Sequence, residues 1–179
     1  MTESTPSKWA IDAGHSEVHF KIKHLAITNV NGTFDRFQGY VESESEDFNN
    51  AMVHFEIDTD SINTNNADRD KHLKSPDLFN TQQYPKILFD GVLQKKENDY
   101  QLAGELTICA TKKHIVLVAE FTGSGQGRFN DTRAGFEVNG KINRKDYGLT
   151  WNVLTEAGGL VLGDEVKLQF DIQLIKQAK

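Results

Sequence analysis

Three of the six histidines, His15, His19 and His24, fall within one short segment, the kind of clustering that invites a metal. On a strand, His15 and His19 share a face but stand about 13 Å apart at ~3.3 Å per residue. His24 has the opposite parity. Zinc requires donors at ~2.1 Å from one ion, so this spacing supplies no metal site, and hydrogen bonding is the expected work of His15 and His24. The single cysteine, Cys109, allows neither an intramolecular disulfide nor a cysteine-based metal site. It ends a strand without a cationic neighbour beside it, and no GxSxG elbow is present, so nucleophilic catalysis has little support. Gly123-Ser-Gly-Gln-Gly127 lacks both phosphate-loop spacings and reads as a flexible hairpin loop. Asn31-Gly-Thr33 and Asn130-Asp-Thr132 fit the glycosylation sequon but read as turn residues.

Two arginines are more informative. Arg144 shares strand parity with Phe136, Val138 and Ile142, which turns it inward near a strand end. A guanidinium there either donates to the phosphate or carbonyl oxygens of a ligand head, or pins the strand end by pairing with Asp146 or another carboxylate. The ion pair is the preferred reading. Arg69-Asp70-x-His72 divides in the same way, as a lid over a cavity mouth or as an end cap of salt bridges; exposed pairs of that kind contribute only ~0–1 kcal/mol. No catalytic residue, metal ligand or cofactor is assigned.

The elements that must carry these side chains are strands. Val18, Phe20 and Ile22 alternate with His19, Lys21 and Lys23; Val53, Phe55 and Ile57 alternate with His54, Glu56 and Asp58. The same period-two pattern returns at Ile87 and Phe89, at Leu106 and Ile108, and at Leu117 and Phe121. It recurs at Phe136 and Ile142, and along Val166, Leu168, Phe170, Ile172 and Leu174. A weaker strand runs from Phe37 to Glu42, with Asn31-Gly32 as the turn before it. Clusters at Asp47–Asn50, Glu97–Asp99, Gly123–Gly127 and Gly158–Asp164 punctuate the runs. One stretch is helical, Asn66 to Leu73, acids first and bases later as the helix dipole prefers. Ser75-Pro76-Asp77 then resembles a second helix start. The expectation is an all-β chain, one domain over residues 1–179, with about eight antiparallel strands and a short helical insertion around residues 65–80.

A net charge of −6 and a pI near 5.5 disfavour nucleic acid and anionic lipid surfaces as partners, since both select clustered Lys and Arg. No apolar run approaches the ~18 residues of a membrane helix. As written, the chain opens without a basic start and apolar core of a secretory signal, so a cytoplasmic protein is expected, or a periplasmic one if the sequence is a processed form. Phe supplies 11 of the 17 aromatics, and seven of them (Phe20, Phe37, Phe55, Phe89, Phe121, Phe136, Phe170) fall on inferred inner faces. Phe has no polar tip to satisfy, so such a wall suits a dry core or a cavity for an apolar ligand. An eight-stranded barrel is just wide enough for one slim ligand. Composition and strand length leave packed core and cavity equally open.

A string of motifs goes further. It begins Trp9-x-Ile11-Asp12-x-x-His15-Ser16-x-Val18-x-Phe20-x-Ile22-Lys23-His24-Leu25 and continues with Val30-x-Gly32-x-Phe34-x-x-Phe37-x-Gly39. Then come Arg69-Asp70-x-His72-Leu73-Lys74-Ser75-x-Asp77-x-Phe79, Tyr84-Pro85, Gly104-x-Leu106-Thr107-Ile108 and Ile142-x-Arg144-x-Asp146-Tyr147-Gly148. In order and spacing, from Trp9 to Leu174, the chain resembles the YceI-like family of polyisoprenoid-binding proteins. The resemblance implies a lipocalin-like extended antiparallel barrel, often dimeric, around a long isoprenoid or other aliphatic chain, with no catalytic residues. Cys109-Ala110 departs from the family's more usual polar-then-Gly turn, and Leu78 and Tyr147 replace frequent Phe residues. The candidate lining is Phe20, Ile22, Phe37, Phe55, Ile57, Phe89, Leu106, Ile108, Leu117, Phe121, Phe136, Ile142, Trp151, Leu168 and Phe170, with Arg144 at the polar end. The rival reading is an enzyme working on a lipid or quinone head at the barrel mouth through Arg144, His24 or His72; a filled-core assembly module is a third.

Overall fold

The computed structural model describes residues 5–153 and 162–179; the Gly158-Gly159 portion of the last turn cluster lies outside them. The strands are β1 (Ser7–Ile11), β2 (Glu17–His24), β3 (Thr28–Phe34), β4 (Phe37–Ser43), β5 (Ala51–Asp58) and β6 (Ile62–Asn63). They continue with β7 (Lys86–Lys96), β8 (Asp99–Ile108), β9 (Thr111–Gln126), β10 (Thr132–Asn143) and β11 (Leu162–Lys176). One helix, α1 (Ala67–Lys74), interrupts them.

Eight of these strands close a ring in the order β1-β4-β5-β7-β8-β9-β10-β11, with β11 returning to β1 through Ile11↔Leu174 and Trp9↔Lys176. Every pairing is antiparallel, and closure leaves no unpaired edge within the ring. β11 is long enough to serve two partners. Leu174 to Lys176 pair with β1, while Leu162 to Asp171 pair with β2, which carries β3 and β6 as a flap. The chain changes from one to the other at a kink after Ile11. There Asp12 accepts from the Gly14 amide and from Arg133 Nη1 at 2.7 Å, and Ser16 Oγ accepts from the Gln173 amide. Arg133 also grips Asp131 at 3.0 Å, fastening the β9–β10 loop to the kink.

Alternation explains the ring strands: along β8 the burial pattern switches at nearly every residue, with Tyr100, Leu102, Leu106 and Ile108 inward. The helix follows its caps. Asn66 Oδ1 accepts from the Arg69 amide, Asp68 and Asp70 sit in the first turn, and Lys71, His72 and Lys74 in the last.

Four local expectations are corrected. Gly163 and Asp164, read as the end of a turn cluster, lie within β11. Asn31-Gly32 does not turn; it lies within β3, and the turn is at Leu25–Ile27. Gly32 is there because Phe20, on the neighbouring strand, lies across it: a Cβ at Gly32 would sit 2.2 Å from the Phe20 ring. Gly123 to Gln126 are not a loop but the end of β9, paired with β10 from Gly135 to Thr132. Ser75-Pro76 starts no second helix. Ser75 terminates α1, its hydroxyl donating to the His72 carbonyl at 2.6 Å.

Candidate functional site

The barrel interior holds two apolar cavities end to end. The outer, about 300 Å³, opens at the α1 end; the inner, about 90 Å³, lies deeper along the axis. A waist of Ile57, Ile87, Leu106, Leu168 and Phe170, contributed by β5, β7, β8 and β11, lines both. At the far end an aromatic plug closes the barrel. Phe48, 2% exposed, packs on Trp9 (5.0 Å between ring centroids), on Phe136 (5.3 Å) and on Phe121 (6.3 Å).

The sequence-derived lining sorts accordingly. Phe20, Ile22, Ile108, Ile142, Arg144 and Trp151 line the outer cavity, and Phe55, Phe89, Leu117 and Phe136 the inner one. Ile57, Leu106, Leu168 and Phe170 line both. Phe37 and Phe121 line neither. Phe37, the first residue of β4, packs its ring on Phe55 at 5.9 Å. Phe121 keeps inward parity but lies beyond the inner cavity, 39% exposed, as part of the plug. Sequence reasoning missed Phe34, because β3 was not read as a strand, and Leu73 and Phe79, because the insertion has no period-two signal.

The mouth is built by two short segments. From one side α1 presents Arg69, His72 and Leu73. Arg69 donates from Nε to Thr64 Oγ1 (2.8 Å) and from Nη2 to the Thr64 carbonyl (2.7 Å), while Asp70 Oδ1 accepts from the amide and hydroxyl of the same threonine. The motif therefore both caps the barrel end and lines the cavity. It does so through hydrogen bonds to Thr64; nearby, His72 Nε2 hydrogen-bonds Asp77 at 3.0 Å and Lys74 pairs with Asp60 at 3.8 Å.

From the other side comes the segment after β10. Arg144 opens a short 3₁₀ turn, is 3% exposed, and donates to three carbonyls: Leu149 (2.6 Å), Trp151 (2.8 Å) and Gly163 (2.8 Å). These bonds hold Leu149 and Trp151 against the cavity, and the Trp151 ring meets His72 edge-on at 4.4 Å. The carboxylate near Arg144 is Asp164, at 3.9 Å, rather than Asp146. That contact is loose. Nη2 is shut off from solvent and makes no hydrogen bond among the described residues. Asp164 Oδ1 makes none either, although Lys145 Nζ stands 3.3 Å away. Burial pulls the Arg144 guanidinium below its ordinary value, and the Asp164 charge partly restores it. Arg144 thus acts on the backbone that shapes the mouth.

Beside the mouth is an open polar hollow of about 420 Å³, sharing His24, Val30, Thr64 and Arg69 with the apolar cavity and adding Asn29, Asn31 and Asn65. The His24 imidazole makes no hydrogen bond among the described residues, contrary to expectation, and His24 lines this boundary. His15 does bond, to Asp12 at 2.7 Å. His19, on the outer face, bonds Glu17 at 2.6 Å, and the pairing of Glu17 with Asp171 brings these three ligating groups within 4.8 Å, a cross-strand grouping invisible in sequence spacing. Cys109 is half-buried with Sγ 3.5 Å from the Phe79 carbonyl, and burial pushes its thiol up, away from the reactive thiolate.

A closed antiparallel barrel with an apolar interior open at one polar end is a ligand-holding scaffold. The chain belongs to the YceI-like domain family, whose model matches residues 9–174. It is 37% identical to a UPF0312 protein of Staphylococcus epidermidis over 164 residues, covering 91% of this chain and 94% of that one. A UPF0312 protein of Staphylococcus aureus is 36% identical over the same share. Among crystal structures, BcnA of Burkholderia cenocepacia superposes with a TM-score of 0.77 at 19% identity, over 91% of this chain and 98% of that one. A YCEI protein of Campylobacter jejuni superposes at 0.72 with 29% identity, over 87% and 90%. A polyisoprenoid binding domain from Saccharophagus degradans superposes at 0.68 with 17% identity, over 94% and 98%. No helix among the described residues is long and apolar enough to cross a membrane.

Proposed function

We propose that the barrel binds one long isoprenoid or other aliphatic chain, such as a polyprenyl compound or a quinone tail, and carries or sequesters it without chemical change. The observation that carries this reading is a pair of apolar cavities that share a waist of five residues, the outer of them ending in a mouth lined by Arg69, Thr64, His72 and His24. Each buried CH₂ contributes ~0.8 kcal/mol, so a chain of tens of carbons outweighs an association cost of about 4–15 kcal/mol. The polar end then rests at the mouth, where donors face water. The Saccharophagus domain, a polyisoprenoid binder of the same fold, supports the choice of ligand class.

Native mass spectrometry of protein purified without detergent, followed by solvent extraction, tests it. A stoichiometric lipid released only on denaturation and recovered chemically intact is the expected result. A folded protein that neither retains lipid nor takes up added polyprenol or quinone overturns it, in favour of a filled-core module; turnover of the bound lipid would favour the enzyme. Phe170→Glu places a charge at the waist and should abolish retention. Because an unpaired buried charge also threatens folding, Leu168→Trp, which narrows the same waist with an apolar ring, is the companion variant.

A further inference from the structure

The inner cavity does not run out of the barrel. It stops at Phe136, which is 5% exposed and held on three sides by rings: Phe48 edge-on at 5.3 Å, Tyr100 edge-on at 5.7 Å, and Phe121 at 5.4 Å. Tyr100 is fixed in turn by its hydroxyl, which donates to the Asp47 carbonyl. On the other side of Phe136 is open space. A hollow of about 640 Å³ lies on the outside of this end of the barrel, and Phe136 and Ile172 line both it and the inner cavity. Phe136, braced by three other rings, therefore stands with Ile172 between the closed end of the apolar tube and the outer hollow.

A tube closed at one end and wet at the other measures its contents. A lipid whose polar end stays at the mouth adds carbon after carbon to apolar wall until its tail reaches the partition, and any further length must fold back or stay in water. We propose that Phe136, as the floor of the tube, sets the longest chain that binds with full affinity, and that Ala119, a small residue 1% exposed on the wall just above it, sets how much of the inner cavity the tail can use. This inference rests on the lipid reading above.

The test is a chain-length series of isoprenoid alcohols, with affinities measured by competition in native mass spectra. For the wild-type protein, affinity should rise by roughly tenfold or more with each added five-carbon unit and then level off. The readout is the length at which it levels, which a general loss of stability does not move. Phe136→Ala should shift the plateau to longer chains by about one unit or remove it by opening the far end. Ala119→Leu, which fills the inner cavity, should shift it to shorter ones. The two variants alter packing in opposite senses, so an opposed shift in either folded variant supports the assignment. A plateau at the same length in both, or a wild-type series that never levels, overturns the floor assignment and leaves the lipid reading standing. No binding at any length in the wild-type protein overturns both.

Discussion

Arg144 and Tyr147 lie three residues apart, both almost fully buried, and the barrel treats them differently. Arg144 lowers the cost of its buried charge by donating to three carbonyls, and its service is geometric: it fixes the strap that carries Trp151. Tyr147 is 2% exposed and its hydroxyl makes no hydrogen bond among the described residues. Burial, reinforced by the charges of Asp146 and Glu105, pushes that phenol up to about 12. Removing an unsatisfied hydroxyl while keeping the ring costs nothing in bonding, so Tyr147→Phe should leave stability unchanged or raise it by about 1 kcal/mol in urea unfolding; a loss of that size would reveal a partner for the hydroxyl. His54, on the outer face, is raised above its ordinary value, first by the Asp90 carboxylate 2.6 Å from Nδ1 and then by Glu56 at 3.2 Å, against partial burial. Its folded pKa exceeds its unfolded one. The stability it lends is therefore fully present below the ordinary histidine pKa and lost as pH rises through the raised value. His54→Gln should cost more stability near about pH 5 than near about pH 8, a window in which ordinary carboxylates stay largely ionised; an equal cost at both ends would show that the imidazole charge contributes nothing.

The elements show what a sequence carries openly and what it conceals. Strands β5, β7, β8 and β11 were legible because period-two alternation is the direct trace of one wet and one dry face. The helix was legible because its acids, Asp68 and Asp70, come early and its bases, Lys71 and His72, come late; its end was not, since Ser75 reads equally as the start of another helix. β3 was hidden by Asn31-Gly32, whose turn chemistry is outweighed by the need for a bare backbone beneath Phe20. The end of β9 was hidden because Gly123 and Gly125 show no alternation of faces, although nothing packs against either of them. The turn joining β8 to β9 is the opposite case: a two-residue connection, Ile108↔Thr111, in which Cys109 and Ala110 both adopt left-handed backbone at φ 50° and 63°. Such turns favour Asn-Gly because a Cβ there costs about 1–2 kcal/mol. Ala110→Gly should raise stability by about 0.5–1 kcal/mol after the extra chain entropy of glycine is offset, measured as a higher urea midpoint with unchanged slope. A lower midpoint would mean that the strain is relieved elsewhere.

At the scale of the whole molecule, most of the cavity wall was legible, because it is the inner half of strands whose alternation shows in the sequence. The two ends were not. The plug depends on Trp9, Phe48 and Tyr100 meeting from distant parts of the chain, and the mouth depends on an insertion and a strap with no periodicity. The ring itself has a consequence in time. It closes only where Trp9 to Ile11 meet Leu174 to Lys176, the first strand against the last. Contacts of such sequence separation belong to folds that form in about milliseconds to seconds. Deleting residues after Gln173 should leave β1 without β11, expose two edges, and abolish lipid retention together with solubility on a sizing column; a soluble, lipid-retaining product would show that the kink and the β2 flap close the barrel unaided. A ribosome releases this chain from its first residue onward, so the tube has no wall along that seam until the final strand has emerged. Synthesis and enclosure are thus ordered in time: the tube can surround a lipid only once its last strand has been made and has met its first.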